Sequence, residues 1–291
     1  AVIHGGDLFN RSNPPKEVVF KAFEPILETA ASGIPVFVIP GNHERAFLPR
    51  TLFDTHDNLL IFDEPKVFNL SFNKISVSFC GFPFIRENLS DKFRHICNSF
   101  SGQINNSDFN LLIMHQAVEG AKVGIQNYTF RKGKEVLSGD ELPNIFDAFL
   151  SGHIHRNQIL TGSITGSNFP APFVYPGSIE RTSFVERDEA KGFYIIELWN
   201  ADGKKNIDFK FIELPTRPMH EITIDSTEMN ETNYKAVLAE KTRNLDPDSV
   251  IRFKINADEN RKPAKIFSEK LWRHFLPKTF SFEISFPFKW E

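Results

Sequence analysis

Cysteine is nearly absent from this chain: only Cys80 and Cys97 occur among its 291 residues. Two cysteines provide neither a disulfide framework nor the spacing of a zinc finger, so we expect both to be buried apolar residues. Long apolar runs are absent too, since no stretch of about 18 apolar residues occurs and no signal peptide is visible. These absences predict a cytoplasmic protein without a transmembrane helix or other membrane association.

An excess of positive charge is also absent. The chain has 34 Lys and Arg against 37 Asp and Glu, and its formal net charge is -3 with His neutral. This balance gives no electrostatic sign of nucleic-acid binding. It does not exclude such binding, because bound divalent cations would add positive charge and because a total hides any local basic patch. Phenylalanine, in contrast, is abundant with 31 residues, which we interpret as core packing.

The N-terminal region predicts a βαβ unit. Apolar residues at 1–3 form a short strand, a helical pattern of apolar residues follows, and residues 35–39 form the next buried strand. Pro25 lies inside the helical pattern and is expected to kink the helix. The fold class is therefore predicted to be α/β. Further apolar strands are predicted at 75–79, 111–114 and 148–150.

A proline-flanked linker at 214–218 predicts a domain boundary. We interpret residues 1–215 as one large domain and residues 216–291 as a small α+β domain. An antiparallel pair of strands at 193–198 and 207–212 is expected to end the first domain. The second domain is predicted to contain a strand at 221–224, a helix at 233–241, a strand at 250–255, a helix at 266–275 and a strand at 280–286.

Four short motifs directly follow predicted strands. Because ligands bind at the carboxyl ends of the strands in α/β sheets, the side chains of these motifs are expected to converge on one site. The motifs are Gly6-Asp7-Leu8-Phe9, Gly41-Asn42-His43-Glu44, His115 after the strand at 111–114, and Gly152-His153-Ile154-His155 after the strand at 148–150.

The residue types in these motifs suit a pair of divalent cations. A carboxylate can bridge two ions, while imidazoles and an amide oxygen complete the ligand sets. Two ions about 3.5–4 Å apart clamp a phosphoryl group and lower the pKa of a bridging water. Each motif alone has a simpler explanation, because Gly-Asp and Asn-His also occur in turns and a single His at a strand end can be structural. The order of all four motifs together favours the metal site.

The order GD, GNHE, H and GHxH resembles the calcineurin-like metallophosphoesterase superfamily over roughly residues 1–215. The resemblance implies a β-sandwich flanked by helices and a two-metal phosphoesterase. The N and O ligands suit Mn, with Fe or Zn as alternatives. The implied ligands are Asp7, which would bridge both ions, Asn42, His115 and His153, which would complete one ion, and His155, which would serve the other.

The resemblance also implies roles for the residues beside the ligands. His43 would not bind metal but would stabilise charge on the phosphate and protonate the leaving oxygen. Glu44 would orient its neighbours. The family usually carries an Asp-x-His motif on its first strand, and nothing before Asp7 provides one. We expect that the numbered chain begins after that strand, the alternative being a member without that half-site, and we interpret His4 as structural.

A later segment resembles one branch of the superfamily, the SbcD-type double-strand-break repair nucleases. The resemblance implies DNA and an SMC-like ATPase of the SbcC type as partners, a homodimer, and a DNA-capping role for residues 216–291. Arg181 becomes a candidate DNA contact, although surface ion pairing explains Arg181 and Arg187 equally well. After Gly-Asp-Leu-Phe the nuclease family often has His or Asp, whereas this chain has Asn10. The segment runs Tyr175-Pro176-Gly177-Ser178-Ile179-Glu180-Arg181 and continues to Lys191-Gly192-Phe193.

Three functions remain open from the residues alone. The first is a metal-dependent DNA exonuclease or endonuclease in which an activated water attacks a phosphodiester. The second is a phosphatase or phosphodiesterase acting on a nucleotide or another small phosphoester at the same metal centre. The third is a non-catalytic scaffold, and the presence of His43 beside the expected ligands argues against it.

Overall fold

The structure, a computed structural model, describes residues 1–44, 55–104, 107–257 and 265–287. Its α-helices in these ranges are α1 (Lys16–Ala31), α2 (Leu89–Ser101), α3 (Tyr234–Thr242) and α4 (Glu269–Arg273). Its strands are β1 (Val2–His4), β2 (Val36–Val38), β3 (Leu59–Ile61), β4 (Lys66–Phe72), β5 (Ile75–Gly81), β6 (Phe109–Met114), β7 (Ala117–Val118), β8 (Lys122–Val123), β9 (Tyr128–Thr129), β10 (Val136–Leu137), β11 (Ala148–Ser151), β12 (Gln158–Gly162), β13 (Asn168–Tyr175), β14 (Gly192–Ala201), β15 (Lys204–Glu213), β16 (Met219–Asp225), β17 (Val250–Asn256) and β18 (Ser281–Ser285).

Two sheets carry the predicted motif strands. β1, β2 and β3 form a parallel three-stranded sheet in that order, and α1 connects the first two strands as predicted. α1 is a single helix that continues across Pro25. A six-stranded sheet has the order β12-β13-β11-β6-β5-β4, with parallel neighbours from β13 to β5 and antiparallel strands at both edges.

The inner strands β6 and β11 of the six-stranded sheet are buried on both faces. Along β6, Leu111 and Ile113 point into one apolar cluster while Leu112 and Met114 point into another, as the two-residue period of a strand requires. The first cluster includes residues of β2, β14 and β15, and the second includes the apolar side of α2. The prediction of an α/β sandwich flanked by helices is confirmed.

Both cysteines lie in this core, as expected. Cys80 on β5 and Cys97 on α2 are buried, and burial raises the pKa of each thiol to about 12. Both thiols are therefore neutral at pH 7 and serve as apolar packing residues.

A second compact unit consists of residues 180–188 and 215–291. Its parallel sheet has the order β16-β17-β18, and α3 and α4 contribute to its core. Residues 258–264 and 288–291 of the predicted second domain lie outside the described residues. Segment 180–188, which the sequence pattern placed in the first domain, belongs to this unit because its side chains pair there.

The contacts of segment 180–188 explain why it belongs to the second unit. The guanidinium of Arg187 pairs with the carboxylate of Glu221 on β16. The guanidinium of Arg252 on β17 stacks over the ring of Phe184, 4.1 Å from its centroid. Short-range sequence patterns do not reveal such pairing, since 34 residues separate Arg187 from Glu221.

Within the described ranges, no helix is both long and apolar enough to cross a membrane.

Trp272 is the central side chain of the second unit's core. It is fully buried, its ring packs edge-on against Phe253 at 5.0 Å, and its indole N–H donates to the carbonyl of Ile266 at 2.7 Å. We expect Trp272→Ala to lower the free energy of unfolding by about 3–5 kcal/mol, because it leaves a cavity and an unpaired carbonyl. Urea unfolding followed by circular dichroism measures this loss. The matched control is Trp199→Ala on β14, where 42% of the side chain is exposed; a loss as large as that of Trp272→Ala would contradict the prediction.

Candidate metal centre

The four motifs meet where strands of two different sheets end. Asp7 follows β1 and Asn42 follows β2, whereas His115 follows β6 and His153 follows β11. Gly5 and Gly152 bring the two sheets together, since a β-carbon at Gly152 would lie 2.0 Å from the oxygen of Gly5. Only glycine permits so close an approach of the two backbones.

The polar atoms of this site point toward one another. The Nε2 atom of His115 lies 3.2 Å from the Oδ2 atom of Asp7 and 2.9 Å from the Oδ1 atom of Asn42. The Nδ1 atom of His153 lies 2.8 Å from the same Asn42 oxygen. The ligand atoms of Asp7, His115 and His153 all lie within 4.8 Å of one another.

This arrangement fits a divalent cation. The Nδ1 atom of His115 lies 2.6 Å from the carbonyl oxygen of Gly5, so it carries the proton and the Nε2 lone pair faces Asp7 and Asn42. Two nitrogens, an amide oxygen and a carboxylate oxygen therefore converge, and the His115 nitrogen presents its lone pair to the oxygens. A bound cation would remove their mutual repulsion, and their N and O character suits Mn, Fe or Zn.

The electrostatics of the site keep its ligands in their binding forms. Burial opposes ionisation of Asp7, but its contacts with the His115 imidazole and with the backbone N–H of His43 outweigh it, so the pKa of the carboxyl lies below its usual value. Burial and then the neighbouring His115 lower the pKa of His153 to about 4. At pH 7 the site thus presents a carboxylate and a neutral imidazole, the forms that bind metal.

Two of the converging residues have left-handed backbones. The φ angle is 55° at Asp7 and 76° at His153, which is uncommon for residues other than glycine. Such a conformation costs about 1–3 kcal/mol per residue and persists where surrounding contacts maintain it. The sequence contained no sign of this strain, although strained backbones are concentrated at functional sites.

The buried carboxylate of Glu44 supplies the contacts that hold the strained turn at Asp7. Its Oε2 atom accepts hydrogen bonds from the backbone N–H groups of Asp7 at 3.0 Å and Gly41 at 2.8 Å. Its Oε1 atom accepts from the backbone of Phe9 at 2.7 Å. One side chain thus links the turn after β1 to the turn after β2 and fixes Asp7 relative to Asn42.

His43 lies at the edge of the site, outside the converging set. Its Nδ1 atom is 3.1 Å from the carbonyl oxygen of Asn10, and its Nε2 atom is 3.8 Å from Asp7 Oδ2. Its backbone N–H donates to Asp7 Oδ1 at 2.9 Å. The contact with Asn10 assigns the proton to Nδ1 and directs Nε2 toward the ligands.

His155 does not belong to the converging set that the described residues form. Its backbone carbonyl accepts hydrogen bonds from the N–H of Ser178 at 3.1 Å and from the Nζ of Lys191 at 2.8 Å. Lys191 is buried and also pairs with Glu189 at 3.0 Å, and Glu189 pairs with Arg156 at 2.9 Å. The backbone of the GHxH segment is therefore held on its C-terminal side by a charge network around the buried Lys191.

The sequence patterns did not predict this network of Lys191, Glu189 and Arg156. Lys191 belongs to the segment that resembles the repair nucleases, but a lysine at the start of an apolar strand is usually exposed. Its burial follows from Glu189, which neutralises its charge, and from the His155 carbonyl, which accepts a hydrogen bond from its ammonium group. The sequence feature that could have indicated the network is a charged residue directly before a strand in which apolar and polar residues alternate.

The remaining predicted residues lie elsewhere. His4 is half-buried on β1, and its Nδ1 accepts a hydrogen bond from the backbone N–H of Gly6 at 3.2 Å. Desolvation, followed by the neighbouring His115, lowers the pKa of His4 to about 4. Arg181 lies in the second unit, where its guanidinium donates to the carbonyl of Arg217 at 3.3 Å.

Replacement of Glu44 tests the link between the two turns. In Glu44→Gln, one carboxylate oxygen becomes an NH2 group that faces a backbone N–H. We expect the free energy of unfolding to fall by about 1–3 kcal/mol and the affinity for Mn²⁺ to fall with it. Urea unfolding and calorimetric titration of Mn²⁺ measure the two effects.

The matched control is Glu119→Gln, because Glu119 is also buried but accepts a single backbone bond, from Gly139 at 3.1 Å. An amide oxygen can still accept that bond, so the control should change stability by about 1 kcal/mol or less. Unchanged Mn²⁺ affinity in Glu44→Gln would contradict the proposed link.

Comparison with curated proteins gives distant relatives named as repair nucleases. The chain is 25% identical over 237 residues to the DNA double-strand break repair protein Mre11 of Methanopyrus kandleri, covering 73% of this chain and 48% of the relative. It is 23% identical over 270 residues to the SbcD component of the SbcCD nuclease of Staphylococcus epidermidis, covering 87% and 67%. An uncharacterised metallophosphoesterase of Bacillus subtilis, YhaO, is 27% identical over 212 residues, covering 69% and 46%.

The aligned part of the chain thus spans about half to two thirds of the length of these relatives. The family model described as calcineurin-like phosphoesterase matches residues 1–157, which include all four motifs. This match covers more than half of the chain and contains the converging residues described above. The chain belongs to the calcineurin-like phosphoesterase family.

Proposed function

We propose that this protein is a metal-dependent phosphodiester hydrolase that acts on DNA, as an exonuclease or endonuclease of the double-strand-break repair type. The proposal rests on one observation, the convergence of four polar side chains with His43 at their edge. The four are Asp7, Asn42, His115 and His153. Membership of the phosphoesterase family supports the reaction class, and the names of the relatives support DNA as substrate.

The proposed ligand assignment uses two ions, with Mn as the first candidate. Asn42, His115 and His153 would hold one ion, His155 would serve the other, and Asp7 would bridge both. When bound, the ions would supply Lewis acidity and positive charge at the phosphate. The chain's own contribution is to hold these ligands in place, through Glu44 on one side and the Lys191 network on the other.

His43 would provide the proton for the leaving oxygen. The contact of its Nδ1 with the Asn10 carbonyl directs Nε2 toward the site, so a protonated ring presents its second N–H to the phosphate. This positive N–H would stabilise developing charge before the proton is transferred.

A small phosphoester is the alternative substrate. An apolar groove of about 460 Å³, lined by Pro83, Phe84 and Ile85 among others, favours this alternative. The ring of Phe84 packs against both His115 and His153, with centroids 6.0 and 5.8 Å apart, so the groove adjoins the proposed metal centre. A small aryl ester would fit a groove of this size.

We further propose that the second unit caps DNA and that the protein acts with an SMC-like ATPase, as a homodimer. The order of the two units along the chain and the names of the relatives support this proposal. Arg181 would contact DNA from the same unit. Any cap-deletion variant must account for segment 180–188, since a cut at residue 215 would leave Phe184 and Arg187 without their partners in that unit.

His43→Ala tests the proton-donor role. We expect hydrolysis to fall by about 10² to 10⁴ while both metals remain bound, because the side chain acts on the leaving oxygen rather than on the ions. Metal content by mass spectrometry and kcat for a phosphodiester are the measurements. His274→Ala, at an exposed histidine of α4's C-terminal end, is the control. Loss of metal from His43→Ala would show that His43 is a ligand instead.

The two substrate classes are separated by one comparison on the full-length protein. Mn²⁺-supported hydrolysis of end-labelled DNA is measured beside that of a small bis-aryl phosphodiester. We expect both to be cleaved, with a higher kcat/KM for DNA, because an extended strand makes contacts that a small ester lacks. Cleavage of the small ester with intact DNA would favour the alternative.

A further inference from the structure

A strongly basic segment lies beside the candidate metal centre. β8, β9 and the residues that follow form what we call the basic hairpin, residues 122–134. Within the described residues, its four cations are exposed and form no ion pairs: Lys122, Arg131, Lys132 and Lys134. The hairpin contains no acidic residue, although the whole chain has a net charge of -3.

The hairpin also presents apolar side chains to solvent. Tyr128 is 62% exposed and Ile125 is 64% exposed. The ring of Phe130, which packs on the core beneath, meets Tyr128 edge-on with centroids 5.5 Å apart. Tyr128 is therefore supported from below while one side of its ring remains accessible, as in a stacking platform.

Hydrogen bonds tie the hairpin to the segment that follows His155. Arg156 donates to the side-chain oxygen of Asn127 at 2.6 Å and to the carbonyl of Gly124 at 2.8 Å. The side chain of Gln158 accepts from the backbone N–H of Lys122 at 2.8 Å and donates to its carbonyl at 2.9 Å. These four bonds attach the hairpin to Arg156 and Gln158. These two residues follow His155, a proposed metal ligand, by one and three positions in the sequence.

The backbone of the turn depends on its sequence. Gly124 and Asn127 have φ angles of 70° and 53°, which glycine and asparagine tolerate best, and the N–H of Asn127 bonds to the carbonyl of Gly124 at 3.1 Å. The charges around the turn form no ion pair within the described residues, although the exposed Glu135 directly follows Lys134. Clustered like charges repel one another, so a bound anion explains them better than structure does.

We propose that the basic hairpin binds single-stranded DNA and leads it to the metal centre. Lys122, Arg131, Lys132 and Lys134 contact successive phosphates, and Tyr128 stacks on a base. This proposal rests on the proposed function, because it names how the substrate of the same site is held. It also separates the two substrate classes, since a small phosphoester has neither successive phosphates nor a neighbouring base.

The first test measures binding without catalysis. A fluorescent single-stranded oligonucleotide is titrated with the full chain in EDTA at several salt concentrations. The variant Arg131→Gln, Lys132→Gln, Lys134→Gln should bind about tenfold more weakly, or weaker still, at low salt. The slope of log affinity against log salt should fall by about two, because each phosphate contact contributes about 0.7 for single strands.

The matched control removes the same charge elsewhere. Lys16→Gln, Lys204→Gln, Lys210→Gln changes three exposed lysines of α1 and β15. This control variant should bind the oligonucleotide and hydrolyse the small bis-aryl phosphodiester as the parent chain does. Equal loss of binding in the two triple variants would overturn the proposal, because it would reflect net charge alone. Because binding is read in EDTA, failure here is distinct from a failure to find nuclease activity.

A second variant separates stacking from charge. Tyr128→Leu should weaken oligonucleotide binding about tenfold without changing the salt slope. Phe20→Leu on α1 is its control, since 73% of that aromatic side chain is exposed. Unchanged affinity in Tyr128→Leu would overturn the stacking role, and unchanged affinity in the triple variant would overturn the hairpin as a binding surface.

Discussion

The backbones of Gly5 and Gly152 meet where strands of the three-stranded and six-stranded sheets end, with space for no β-carbon between them. This contact places the turn after β1 against the turn after β11, although 147 residues of chain separate them. Every other feature of the site follows from that approach. Asp7, Asn42, His115 and His153 converge because the strands that precede them end at this junction.

Bringing four lone-pair donors together is unfavourable without a cation, and the structure compensates with fixed contacts on each side. Glu44 accepts three backbone hydrogen bonds and stabilises the turns at Asp7 and Gly41. Lys191 donates to the carbonyl of His155 and pairs with Glu189. Glu44 and Lys191 are buried charges with several polar partners, which is the condition under which buried charge is tolerated. The candidate ligands are thereby held in place by the fold itself.

Charge is distributed unevenly around this centre. The site itself presents the Asp7 carboxylate and the neutral imidazole of His153, whereas the basic hairpin gathers four cations that form no ion pair with the described residues. A net charge of -3 concealed this contrast, because a sum over 291 residues says nothing about where the charges lie. The combination suits a polyanion whose backbone is held by the hairpin while one phosphate reaches the centre.

Local sequence patterns were enough to predict the α/β class, the βαβ unit around α1 and the four motifs, because strand period, glycine turns and ligand types are local properties. The left-handed backbones of Asp7 and His153 and the burial of Lys191 became visible only in the folded chain. The tertiary structure also showed that segment 180–188 joins the second unit, through Arg187 and Glu221. The physical reason is distance along the chain: these features depend on partners that folding brings together, and no local pattern encodes those pairings.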